Sequence, residues 1–198
     1  MPLWKILPVA LIAYLLGSIP TALIYSRIVK GQDIRTLGDG NMGARNTKRI
    51  FGWRAGVIVA LADILKGWAA VWLSIALALP ESLHYICAAL AVLGHDFSIF
   101  ARFKGGQGFA VTIGIFLGLF PLFTLIATAL YGVIYFATRS SDLAAGIGMG
   151  LIAAAQWISG APFYSVVFIV IVLLFIPLKK WIDKPRRLAI EQQHLHPS

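Results

Sequence analysis

The residues best placed to do chemistry lie between Gly94 and Phe109: His95 beside Asp96, then Arg102 and Lys104, then Gly105, Gly106, Gln107 and Gly108. Glycines let successive backbone N–H groups turn inward as a concave anion site, and the two cations add charge, so the segment reads as a phosphate-holding turn at a membrane face. Phe109 opens a further apolar run, whose first unpaired N–H groups would face the same anion. A plain turn whose cations touch lipid headgroups is the alternative. His95 is a candidate base or orienting donor, or else a satisfied helix-end residue.

A second polar stretch, Gly38-Asp39-Gly40-Asn41-Met42-Gly43-Ala44-Arg45-Asn46-Thr47-Lys48-Arg49, offers the amides of Asn41 and Asn46 and the cations Arg45 and Arg49 to a polar ligand. Gly38, Gly40 and Gly43 spell G-x-G-x-x-G, but no strand precedes them and no βαβ pattern follows, so a dinucleotide site fails its context. A solvated loop on the positive side of a membrane is the alternative. Asp63 and Lys66 sit one helical turn apart inside an apolar run and can pair; a supporting role beside a site is expected of them. No Gly-x-Ser-x-Gly elbow exists to carry a serine nucleophile, and the His-x-x-x-x-Asp of one large class of phospholipid acyltransferases is absent, because position 100 is Phe.

The elements that must hold these residues are membrane helices. With 59% hydrophobic residues and a mean hydropathy of +0.83 over 198 residues, the chain is too apolar for an ordinary water-soluble domain. An all-α, polytopic helical bundle forming a single membrane domain over 1–198 is the expectation. The net charge of +9 points to anionic headgroups or phosphorylated small molecules rather than nucleic acid, since only 13% of residues are charged and no polar stretch interleaves cations with aromatics. Cys87 is the sole cysteine, which excludes an intrachain disulfide and a zinc cluster, and no metal set is expected.

Candidate spans run over 3–26, 55–79, 83–101, 109–120, 122–138, 143–160 and 163–178. Lys5 alone precedes the first, and no small-x-small cleavage site stands out, so a retained span is expected there. Pro20 should kink it near its end. The thirty apolar residues of 109–138 would make a helix of about 45 Å, against a hydrocarbon core of about 30 Å. A turn at Gly118-Leu119-Phe120-Pro121 divides them and puts 15 of 17 Lys/Arg on one side. The positive-inside rule then favours seven spans with the amino terminus outside and the carboxyl terminus cytoplasmic; a shallow hairpin is the alternative. Residues 179–198 read as a basic cytoplasmic tail, amphipathic at first and then partly disordered.

Taken in order, Gly17-Ser18-Ile19-Pro20, Gly38-x-Gly40-Asn41-x-Gly43-Ala44-x-Asn46-x-x-Arg49, Asp63-x-x-Lys66-Gly67 and Gly94-His95-x-Phe97-x-x-Phe100-x-x-Phe103-Lys104-Gly105-Gly106-x-Gly108 resemble the bacterial acyl-phosphate:glycerol-3-phosphate acyltransferase family, PlsY. The resemblance covers nearly the whole chain. It implies a multi-pass protein of the bacterial inner membrane with a cytoplasm-facing site, where an acyl phosphate and the 1-hydroxyl of glycerol 3-phosphate, or of a related polyol phosphate, give lysophosphatidate and phosphate. No coenzyme A, metal or other cofactor is implied. On this resemblance Lys104, Arg49, Asn41 and His95 are the catalytic candidates, and Gly40, Gly43, Arg45, Asn46, Gly105, Gly106, Gln107 and Gly108 the substrate-binding ones. Asp63 and Lys66 support them.

The sequence departs from the family pattern at Asp39 for Ser, Arg45 for Thr, Ser98 for Pro, Gln107 for Lys and Asp142 for Ser, with Trp181 and Lys184 near a usual His and Asn. A non-catalytic membrane binder of anionic lipid or phosphorylated metabolite is therefore the alternative function. A transporter is disfavoured by the lack of an inverted repeat.

Overall fold

Four glycines bring two helix pairs into backbone contact. A Cβ on Gly17 of α1 (Leu3–Ser18) would overlap the Ala91 carbonyl of α5 (Glu81–Asp96), and one on Gly94 would overlap the Tyr14 carbonyl. The same reciprocity joins α4 (Trp53–Ala76) to α6 (Phe109–Leu119), where Gly67 meets the Val111 carbonyl and Gly114 that of Ile64. Lipid tails are as apolar as leucine, so helices in a bilayer associate through such close approach rather than through water exclusion.

The computed structural model describes residues 3–195, and among these all regular structure is helical. The remaining helices are α2 (Thr21–Lys30), α3 (Ala44–Phe51), α7 (Pro121–Thr138), α8 (Ser141–Ile158), α9 (Phe163–Ile182) and α10 (Lys184–Leu195). α7 packs on α8 and α8 on α9, while α3 lies against α4. The main core includes Ala88, Ala91, Val71, Val111, Ile115, Phe116 and Ile169. A smaller one of Ala22, Leu23, Ile34, Met42, Val59 and Ala101 sits beneath the 31–43 loop.

Among the described residues, five helical segments are long and apolar enough to cross a membrane, and a sixth forms if α1 and α2 count as one span bent by 42° at Ile19-Pro20. The expected kink at Pro20 is thus a full break between two helices. The expected turn at 118–121 is also present: α6 ends at Leu119, and Pro121 occupies the first turn of α7, where its missing N–H costs nothing. α6 has only 11 residues, about 16 Å of helix, which is short of a full crossing.

The chain beyond 178 differs from the expected tail. α9 continues to Ile182 and α10 follows. Lys179 is not solvated but 1% exposed, bonded to Asp183 Oδ2 at 2.5 Å and lying over the Phe97 ring. Burying the ammonium with its own carboxylate at i+4 keeps the charge inside the bundle. Residues 1–2 and 196–198 of the expected amino terminus and tail lie outside the described residues.

Gly114→Val should lower the thermal midpoint in detergent by the equivalent of about 1–3 kcal/mol, the usual cost of overpacking. Gly132→Ala, with nothing within 4 Å of its Cβ position, should leave the midpoint unchanged or slightly raised. Equal shifts for the two would show that the α4–α6 crossing does not depend on the glycine.

Candidate functional site

The loop between α2 and α3 is held by its own polar groups. Asp33 binds Arg35 and Arg27, and the Arg35 guanidinium holds its carboxyl far below the usual carboxylate range. Further along, Asn46 is fully buried: its Oδ1 accepts from Asp39 N at 3.2 Å, and its Nδ2 donates to the carbonyls of Leu37 and Asn41 at 2.9 and 3.1 Å. Asn46 was expected to touch a ligand, but both ends of its amide are committed to the loop backbone. Asp39 Oδ1 accepts from Asn41 N, and Arg49 lies 3.7 Å from its other carboxylate oxygen. Gly40 lies under Ile190 of α10, so that helix braces the loop from outside.

The 97–108 turn folds back on the end of α5. Gly105 N donates to Asp96 O and Gly106 N to His95 O, both at 3.1 Å. A Cβ on Gly105 would overlap the His95 carbonyl, and one on Gly106 would overlap its imidazole Nε2. These two glycines therefore let the loop lie flat on the histidine. Arg102 and Phe103 both take left-handed backbone angles, with φ of 57° and 59°, to make the reversal. Tyr14 OH donates to Phe97 O at 2.8 Å, and Ser98 Oγ to Ser18 O, tying the turn to α1.

Between the two loops lies a cleft of about 90 Å³ whose wall is Asn41, Gly43, Ala44, Arg45, Asp63, His95, Gln107, Gly108, Phe109 and Ala110. Two helix N-termini open onto it. α3 starts after Gly43 and α6 after Gly108, and neither end has a side-chain cap. Unpaired backbone N–H groups and the positive ends of two helix dipoles thus face one space, the arrangement that holds an anion. Arg45 adds a charge.

Behind the cleft, Asp63 Oδ1 accepts from Lys66 Nζ at 2.8 Å and from Thr21 Oγ1 at 2.6 Å, and lies 3.6 Å from His95 Nδ1. Lys66 also donates to the Ile19 carbonyl at 2.8 Å. The expected pairing of Asp63 with Lys66 is present, and Asp63 reaches the histidine as well.

The cleft continues outward. Arg45, Gln107 and Phe109 also line a second pocket of about 200 Å³ with Ser141, Asp142 and Lys180. Phe109, Ala145 and Met149 carry this on into a narrow apolar groove between α6, α7 and α8. A polar end thus joins an apolar channel.

The structure therefore brings Asn41, Gly43, Arg45, His95, Gln107 and Gly108 together. Arg49 and Lys104 do not line either polar pocket; both side chains are exposed, on the loops beside them. Phe109, expected to open a helix facing the anion, lines the wall as well, and Lys180 is a wall residue that the sequence reading did not single out. Lys180 looked like one more cation of the tail, and nothing in its spacing marks it as facing α8.

Comparison with known proteins agrees with this geometry. The sequence profile of the family described as glycerol-3-phosphate acyltransferase matches residues 7–189. The chain belongs to that family. It is 43% identical over 142 residues to glycerol-3-phosphate acyltransferase 2 of Bacillus anthracis, covering 70% of this chain and 74% of that one. It is 46% identical over 119 residues to the enzyme of that name from Geotalea daltonii, covering 60% and 61%. The crystal structure of PlsY, an integral membrane glycerol 3-phosphate acyltransferase, in its glycerol 3-phosphate form superposes with a TM-score of 0.82 at 27% identity, over 93% of this chain and 92% of that one.

Asn46→Asp keeps the acceptor to Asp39 N but puts a carboxylate oxygen against two carbonyls. It should cost about 1–3 kcal/mol and speed amide exchange at residues 37–43. Unchanged exchange there would mean the amide does not clamp the loop.

Proposed function

We propose that this protein transfers an acyl group from acyl phosphate to the 1-hydroxyl of glycerol 3-phosphate, at the cytoplasmic face of a bacterial membrane. The observation that carries the reading is the convergence of two uncapped helix N-termini, Arg45 and His95 on one cleft that runs on into an apolar groove. Both substrates are phosphorylated, and only one has a long apolar chain. In this reading the acyl chain takes the groove between α6, α7 and α8, and the phosphates take the polar end. Seven spans with the amino terminus outside would place that end on the cation-rich side.

Acyl phosphate is already activated, so the protein's part is alignment and charge stabilisation. The 1-hydroxyl oxygen attacks the acyl carbon, the bond from that carbon to the phosphate oxygen breaks, and the hydroxyl proton goes to a phosphate oxygen. Lysophosphatidate and inorganic phosphate result. The α6 N-terminus at Gly108 would receive the charge growing on the departing phosphate, as would Gln107, while Gly105 and Gly106, whose N–H groups are spent on the Asp96 and His95 carbonyls, keep the loop flat on His95. Asn41, whose Oδ1 is buried without a partner, is left to orient the acceptor hydroxyl. His95, fixed against Gly106 and beside Asp63, sets the position of the loop; Lys66 and Asn46 hold the shell behind. Gly40 and Gly43 shape the first loop, and the exposed Arg49 and Lys104 draw phosphates toward the cleft.

Purified protein given acyl phosphate and glycerol 3-phosphate should release phosphate and form lysophosphatidate. His95→Ala should lower kcat/KM by about 10²-fold, the cost of misplacing the loop that the imidazole holds. Arg45→Ala should act mainly by raising KM, by about tenfold, the scale of one charge-assisted hydrogen bond, whereas Arg49→Ala and Lys104→Ala should raise it less and lose that effect at high salt. Saturable binding of both substrates without product, where a relative turns over, would replace this reading with a non-catalytic binder.

A further inference from the structure

The second pocket, of about 200 Å³, has a polar wall of Arg45, Gln107, Ser141, Asp142 and Lys180. Its cations come from two elements, α3 and α9, and its carboxylate from the first turn of α8. Lys180 Nζ donates to Asp142 Oδ2 at 2.5 Å. Arg45 Nη2 donates to Ser141 Oγ at 2.7 Å, one residue away, and Tyr131 OH holds the same hydroxyl at 2.9 Å. The carboxylate thus stands where an anion entering the pocket would meet Lys180 and Arg45.

We propose that Asp142 is a specificity-determining residue that acts as an internal stand-in for a substrate phosphate, pairing with Lys180 until a phosphate dianion displaces it. This rests on the reading that phosphorylated substrates enter this cleft. Three observations support displacement. The Asp142 side chain is 69% exposed, so its pair with Lys180 is screened and weakly held. A dianion can engage both cations at once, whereas the carboxylate carries a single charge. When it leaves Lys180, the carboxylate still lies in the first turn of α8, beside the Ser140 cap, where negative charge is favoured. Singly charged anions gain too little to make the exchange, so the pair favours phosphate over carboxylates and halides.

The test is calorimetric titration of inorganic phosphate into the full-length protein in nanodiscs of uncharged lipid, with thermal midpoints confirming folding. Asp142→Asn should bind phosphate about fivefold more tightly, the upper worth of an exposed ion pair, and Asp142→Ser should move the same way. Lys180→Met should weaken binding, and adding Asp142→Asn to it should recover little of the gain. Acetate should compete better against phosphate in Asp142→Asn than in the unaltered protein. Unchanged, weaker or undetectable phosphate binding in both Asp142 variants would overturn the proposal, as would a full gain in the Lys180→Met background. The titration needs no turnover, so absence of acyl transfer would overturn the enzymatic reading and leave this result standing.

Discussion

Asp63 and Lys66 carry opposite charges in the middle of α4, inside a segment that is otherwise hydrocarbon-compatible, and neither can be left bare there. Their mutual contact joins one carboxylate oxygen, Asp63 Oδ1, to one ammonium proton of Lys66. The elements packed against α4 add partners to that same oxygen and to the ammonium, while Asp63 Oδ2 stays buried without a hydrogen-bond partner among the described residues. Lys66 reaches the carbonyl of Ile19, and Asp63 takes the hydroxyl of Thr21. Both partners exist because the chain breaks at Ile19-Pro20 rather than continuing as one helix; an unbroken α-helix would have kept the Ile19 carbonyl for its own ladder. The break in the first span and the ion pair in the second are one feature. His95 then comes to rest beside Asp63 at the end of α5, and the glycine loop lies on His95. The candidate cleft is thus positioned by an ion pair in the middle of α4.

Much of this was legible in the sequence for physical reasons. The apolar runs are long, the Pro20 and Pro121 breaks are set by the missing N–H, and i,i+3 spacing alone made Asp63 and Lys66 partners. The glycines of the 105–108 loop were expected to turn their N–H groups toward an anion, but Gly105 and Gly106 instead donate to the Asp96 and His95 carbonyls and are small so that the loop can lie on the histidine. Other features could not be read because they depend on tertiary facing. Asn46 looks like a ligand for substrate, yet its amide serves the loop, a role visible only once Leu37, Asp39 and Asn41 are seen around it. Lys179 and Lys180 are adjacent and chemically alike, but one is enclosed with Asp183 and the other crosses to Asp142. Hydropathy could not separate them, since helical rotation by one residue decides which faces the bundle.

The departures from the family pattern also become intelligible in space. Arg45, Gln107 and Asp142 are far apart in sequence, yet all three line the same pocket, with Lys180 opposite. Replacing a loop cation by Gln107 removes positive charge from one wall; Arg45 and Lys180 supply it from two others. Asp39 is likewise met by Arg49.

The shortness of α6 belongs to the same logic. A helix that must present its N-terminus to a ligand near the membrane face, and must also cross α4 at Gly67 and Gly114, begins inside the protein rather than at the surface. It is stopped 11 residues later by the turn into Pro121. α7, which returns from that turn, contributes only Thr124 and Ala127 to its buried set and otherwise presents a mostly apolar outer face. The groove beside Phe109 therefore has a fixed wall on α6 and a lightly packed one on α7. In the proposed reading the acyl chain takes the wall of the second kind, because entry from lipid requires side chains that can part without breaking a core. The phosphate end needs the first kind, since helix N–H groups stabilise charge only when they are already in place. A single short helix separates the two requirements, rigid at Gly108 and loosely covered below Phe109.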